Sequence, residues 1–156
     1  MALKDFKKYI SNEREKKKGL KHTFYSLKSS EIEKADIELK IPMELKSFYT
    51  LVGYGYMFDT NESYSIDKLY SPEEFVKVNL RQDYYEFDPS LEYFKLPQYQ
   101  DKLIFFQVNE SNYLLIDKKD VSGKNSIYYF DKKIANSLEE FLDKFNDKGH
   151  YFEDKE

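Results

Sequence analysis

The sequence predicts an α+β fold: a single domain in which an antiparallel sheet of mixed strand lengths carries helices packed against it. Two observations lead there. Five stretches show helix start signals or the i, i+3, i+4 apolar spacing of a buried helical stripe. Between residues 103 and 130, three runs rich in aromatic and branched side chains are separated by short turn sequences, and short links favour antiparallel neighbours. At 156 residues the chain suits one core, burying about 70% of its unfolded surface.

In chain order, Leu3, Phe6, Tyr9 and Ile10 form a short apolar face, so a helix is expected over residues 3–16, stopping at Gly19. Lys16, Lys17 and Lys18 suit its C-terminal dipole, and three cations are too few to signal a nucleic acid or membrane partner. Ser30 and Glu33 have capping-box spacing for the next helix. Ile41-Pro42 forces a break, with Pro42 suited to the first turn of a new helix. Leu45, Phe48, Tyr49 and Val52 form that helix's buried stripe, and Gly53 is placed as its terminator. A hairpin is expected between strands at 54–58 and 63–66. Ser71-Pro72-Glu73-Glu74 starts a helix that buries Phe75, Val76 and Val78. Residues 81–100 hold Pro89 and Pro97 and no clean period, so a long ordered loop with one short helical turn is expected. Strands follow at 103–108, 113–117 and 126–130. Ser137 and Glu140 cap a last helix burying Leu138, Phe141, Leu142 and Phe145, which Gly149 ends, and residues 150–156 are expected to fray.

Composition narrows the function classes. Aromatics reach 18%, with 15 Tyr and 13 Phe, so large rings fill the core and many hydroxyls need partners. Charged residues make up 35%, yet the net charge is −4, a mixed-sign surface unlike that of a nucleic-acid binder. The absence of cysteine removes disulfides, thiolate metal sites and cysteine nucleophiles. The first twenty residues lack the apolar stretch of a signal peptide, and no run reaches membrane-span length, so a cytoplasmic protein is expected.

The order of features from Ser29 to Phe58 resembles the SUKH superfamily: an acidic amphipathic helix, the Ile41-Pro42 step, a helix ending in aromatics, and a strand opened by Gly53. Downstream, residues 101–145 are similar to the family's three-strand meander and terminal helix, so the resemblance covers most of residues 29–145. It implies a cytoplasmic, non-enzymatic immunity protein that binds the C-terminal domain of a cognate polymorphic toxin, with no cofactor or metal. The alternative is a regulatory or scaffold module acting on endogenous proteins, as in fungal relatives. An enzyme with a small-molecule pocket is a third class.

Catalytic signals are sparse. The two histidines, His22 and His150, sit in no recognisable motif and are expected to be exposed. Gly53-Tyr54-Gly55 lacks the lysine and hydroxyl of a phosphate loop and follows a helix rather than opening one. Asp83, Glu86 and Asp88 do not match the spacing of a calcium loop. An acidic–aromatic protein-binding surface fits these residues better. The candidates are Asp83, Tyr84, Tyr85, Glu86 and Asp88, with Tyr54, Tyr56, Asp59 and Glu62 as a second cluster. About half of the rings between 84 and 99 are expected to pack inward. A free strand edge within residues 103–130 would admit a homodimer.

Overall fold

The computed structural model describes residues 1–11, 20–59, 65–110 and 112–153. Among these residues seven strands form one antiparallel sheet, ordered as they occur in the chain. They are β1 (Thr23–Tyr25), β2 (Tyr54–Tyr56), β3 (Lys68–Leu69), β4 (Lys102–Val108), β5 (Asn112–Asp117), β6 (Ile127–Tyr129) and β7 (Lys132–Ala135). Helices α1 (Ser29–Glu38) and α2 (Met43–Leu51) fill the β1–β2 connection. Helix α3 (Pro72–Leu80) opens the β3–β4 connection, and α4 (Leu138–Lys148) follows β7. The fold is α+β, and the expected three-strand meander is part of a longer one.

The N-terminal element differs from expectation. It is a 3-10 helix, Leu3–Tyr9, that buries Phe6 and Tyr9. Ile10 turns extended and bridges Phe24, and the Ser11 amide donates to the Phe24 carbonyl at 2.7 Å, so the chain leaves the helix to cover β1. The rest of the expected helix lies outside the described residues.

Helix α1 begins one residue before Ser30, and the Glu31 carboxylate accepts the Lys28 amide at 2.9 Å. Asp36 then braces the break: it accepts the Ile41 amide at 2.8 Å and pairs with Lys46 at 2.8 Å. Pro42 stands at the cap of α2, one position earlier than expected. Leu45, Phe48, Tyr49 and Val52 are all buried, and the Tyr49 hydroxyl donates to the Tyr70 carbonyl at 2.6 Å. Gly53 adopts φ +132°, and a Cβ there would overlap the Tyr25 carbonyl oxygen of β1. That close approach lets β2 start directly from the helix.

The expected hairpin forms with shifted bounds: its first strand is Tyr54–Tyr56 and its second is Lys68–Leu69, while residues 63 and 64 lie outside the described residues. Strand β2 lies between β1 and β3, with Gly55 opposite both Phe24 and Leu69. Between β4 and β5 the register slips between Ile104 and Phe106. Phe105 and Phe106 both reach Phe141 of α4, at centroid separations of 5.9 and 5.4 Å. Ser137 caps α4 by accepting the Glu140 amide at 2.9 Å. Phe130, at φ +54°, ends the expected strand at Tyr129 and turns the chain into β7.

Two further expectations are corrected. The strands of residues 103–130 are interior to the sheet, whose outer strands are β1 and β7, although β3 pairs only with Phe106 and Gln107 of β4 and β6 only with Leu115 and Ile116 of β5. Residues 150–153 do not fray: Phe152 is 3% exposed, and the Tyr151 hydroxyl donates to the Ile134 carbonyl at 2.7 Å. Among the described residues no helix is long and apolar enough to cross a membrane.

Candidate functional site

The β3–β4 connection builds a ledge. Helix α3 ends at Arg81, whose left-handed backbone (φ +56°) turns the chain. The Arg81 guanidinium donates to the carbonyls of Val78, Asn79 and Leu91, tying the start of the segment to its middle. Three 3-10 helices follow, Asp83–Tyr85, Pro89–Lys95 and Pro97–Tyr99, where one short turn is expected. Asp88 caps the second: its Oδ1 accepts the Ser90 amide at 3.0 Å and the Ser90 hydroxyl at 2.7 Å. Leu91, Phe94 and Tyr99 anchor the segment in the core.

On this support the local sequence divides into presented and supporting residues. Tyr84 and Phe87 are 85% and 86% exposed. Glu86 is exposed between them, and Tyr85 is half-buried against the core. Asp83 is exposed but committed to Lys77 at 3.1 Å. Large rings this open are unusual on a surface that meets only water. Of the six rings from Tyr84 to Tyr99, Phe94 and Tyr99 are buried and Tyr85 is partly so, close to the expected half.

Behind the ledge lies a cavity of about 290 Å³. Tyr84, Tyr85 and Asp88 form its outer wall, and Tyr70, Gln107 and Tyr113 come from the sheet side. The second cluster meets the first around one ion pair, Lys68–Glu74, at 2.7 Å. Burial raises the Tyr54 hydroxyl pKa, with Lys68 and Glu74 acting on it in opposite directions. Burial likewise raises Tyr85, and Glu74 adds to that shift. Tyr54 also edges a cleft of about 450 Å³ between α1 and α3 that runs to Gln82 at the foot of the ledge. Tyr56 is half-buried, with the Lys68 ammonium 5.3 Å from its ring centroid.

Asp59 is not at the surface. It is 4% exposed, and its carboxylate accepts the Ser65 amide at 3.0 Å, so it fastens the loop end. Glu62 lies outside the described residues.

A family model described as SMI1 / KNR4 family (SUKH-1) matches residues 9–144. The chain belongs to this family. It is 36% identical over 140 residues to a protein named Immunity protein YxxD from Bacillus subtilis (strain 168), covering 88% of this chain and 92% of that relative. No solved structure matches it significantly.

Within this SUKH-1 chain the histidines are structural, and His22 is buried rather than exposed, at 1%. Its Nδ1 accepts the Phe58 amide at 2.8 Å, which leaves Nε2–H to donate to Asn146 Oδ1 at 2.8 Å. With both nitrogens committed, the ring has no lone pair for a substrate or metal. His150 bridges Asp67 at 2.8 Å and Glu153 at 3.3 Å, which pins the C-terminal segment. Among the described residues no group of three or more His, Asp or Glu side chains is placed to hold a metal ion.

Tyr70, Gln107, Glu110 and Tyr113 are not legible from the sequence as cavity residues, because they come from just past β3, from β4, from the turn after it and from β5, all outside the 81–100 segment. Neither is Glu44 legible as a buried carboxylate that accepts the amides of Asn125, Leu138 and Glu139.

Proposed function

We propose that this SUKH-1 chain is a non-enzymatic immunity protein that binds and neutralises the C-terminal domain of a cognate polymorphic toxin in the cytoplasm. The observation that carries a protein-binding role is the ledge: two rings more than four-fifths exposed, on a segment held by caps and core anchors. Tyrosine and phenylalanine supply large contact area with few rotatable bonds, which suits interface anchors. The similarity to a relative named an immunity protein, over nearly the whole of both chains, supports a toxin as the partner.

Tyr84, Glu86 and Phe87 form the proposed contact centre, with Asp83, Tyr85 and Asp88 behind it and Tyr54 and Tyr56 toward the α1–α3 cleft. A nuclease is the toxin class this surface fits, since a cleft that holds phosphate is basic and complements acid beside aromatic. Inhibition is then stoichiometric, by covering the toxin's active site or a neighbouring surface.

The test is co-expression of the tagged protein with the toxin domain encoded beside its gene. Co-purification as a one-to-one complex and rescue of growth are expected, with Glu86→Lys weakening both. A toxin domain that neither binds nor is neutralised would overturn the reading.

A further inference from the structure

The cavity behind the ledge has a definite chemistry. Its charged lining groups are Asp88 and Glu110, both acidic, and no lysine or arginine lines it. Four tyrosines contribute to the walls: Tyr70, Tyr84, Tyr85 and Tyr113. Tyr70 and Tyr113 are 1% and 4% exposed, so they form a fixed inner wall rather than a flexible rim. The Tyr70 hydroxyl donates to Gln107 Oε1 at 3.1 Å, and the Tyr113 hydroxyl shares a hydrogen bond with Ser90 at 3.1 Å. Gln107 is itself held by the carbonyl of Asn109 at 3.0 Å. The polar atoms of the inner wall are therefore oriented before any partner arrives.

The neighbouring basic groups are committed elsewhere: Lys68, whose charge reaches Tyr85, is paired with Glu74 at 2.7 Å. Arg81 feels the charge of Asp88, but its terminal nitrogens bond the carbonyls of Val78, Asn79 and Leu91, and it stands outside this cavity. Both hydrogen bonds to Asp88 fall on Oδ1, which leaves Oδ2 for another donor. An anion entering here would meet two carboxylates. An apolar side chain would bury Asp88 without compensation. A cation gains from the two carboxylates, and the stem of a long cationic side chain packs on aromatic surface. The volume, about 290 Å³, lies at the lower end of small-molecule sites and suits one long side chain.

We propose that this cavity receives a lysine or arginine side chain of the partner protein, inserted between Tyr84 and Tyr85 of the ledge and the Tyr70–Gln107–Tyr113 wall. This rests on the immunity reading and adds to it the partner chemistry: a protruding cation flanked by surface that packs on Tyr84 and Phe87.

The pocket is tested without any toxin. The ¹⁵N-labelled full chain is titrated with L-argininamide and, in parallel, with L-citrullinamide, its near-isosteric analogue with a neutral side chain. Saturable shifts at residues 84–90 and 107–110 are expected for argininamide, with citrullinamide about tenfold weaker. In Asp88→Asn with Glu110→Gln the preference should vanish; asparagine keeps the cap on Ser90, and Glu110 lies on an exposed turn, so the fold is retained. Glu110→Gln alone should give part of the loss. Equal responses to the two amides, shifts elsewhere on the protein, no saturable response, or an unchanged preference in the double variant would overturn the inference. Each of those results leaves the immunity reading intact, because that reading stands or falls on co-purification with the toxin domain. A toxin domain that bound the wild type and the double variant equally well would also remove the pocket inference alone.

Discussion

Replacing Glu44 by alanine is expected to be the most damaging single change at a polar position. The side chain is 5% exposed, and its Oε1 accepts the amides of Asn125 and Leu138 at 2.9 and 2.7 Å. Oε2 accepts the amide of Glu139 at 2.9 Å. Leu138 and Glu139 are the first residues of α4, so the carboxylate also sits on that helix's positive end. Truncation leaves the Asn125 and Leu138 amides, both in fully buried residues, without an acceptor. Each orphaned donor costs about 1–3 kcal/mol. The Glu139 amide is partly buried and can turn to water, so its loss is smaller. The sum is roughly 3–5 kcal/mol, or a melting temperature lower by about 10 °C for a chain of this size. Urea unfolding followed by circular dichroism measures it, with an unchanged denaturant slope showing that the same surface is exposed. Glu44→Gln keeps an acceptor for the two buried amides but sets an NH₂ against Glu139 or the pair; about half the loss is expected. A Glu44→Ala variant within about 1 kcal/mol of wild type would refute the reasoning, showing that the cost of burying the carboxylate cancels its bonds.

Four other changes separate folding from binding. Burial pushes the His22 pKa from its ordinary 6.5 to about 4, so the unfolded chain takes up the proton first. The stability this neutral ring supplies is complete above about pH 6.5 and falls as the pH drops toward 4, by roughly 3 kcal/mol in all; the slope should flatten over that window in His22→Gln. Gly53→Ala combines a positive φ with overlap on the Tyr25 carbonyl, and a loss of about 2–4 kcal/mol in thermal or urea unfolding is expected. Tyr84→Ala with Phe87→Ala should leave stability within about 0.5 kcal/mol of wild type while weakening toxin-domain binding by about 2 kcal/mol or more, measured by calorimetry. Tyr85→Ala, which removes a half-buried ring, should lower both.

Much of the fold was legible because its signals are local. Ser71-Pro72, Ser137 and Gly53 each act within a few residues, and α2, α3 and α4 follow from them. β1 and β3 were not legible: strands of three and two residues are too short to show alternation, and their pairing depends on Gly55 lying between them. β7 was hidden by its exposed Lys132 and Lys133, which leave only Ile134 and Ala135 as an apolar signal. The buried polar groups were the least legible. Glu44 meets Asn125 across 81 positions and His22 meets Asn146 across 124, so nothing near either residue distinguishes it from a surface one. The candidate surface shows the same division: residues 83–88 stand out as a run, whereas the wall of the cavity comes from Tyr70, just past β3, Gln107 on β4 and Tyr113 on β5.

That division bears on how such a surface can change partners. The contacts that fasten α4, from Glu44, Asn125 and Ser137, involve no ledge residue. The ledge is held from behind by Leu91, Phe94 and Tyr99 and from below by Arg81, none of which needs the outward rings for its own packing. Glu86 and Phe87 are thus free to vary at little cost to the fold and outside the cavity, Tyr84 forms part of the cavity's outer wall, and Tyr85 and Asp88 couple the ledge to the sheet through the cavity. Partner choice should therefore be reset most readily at 86 and 87, and at 84 together with the pocket. Changes at 85 and 88 should alter the shape of the pocket and the stability of the segment together.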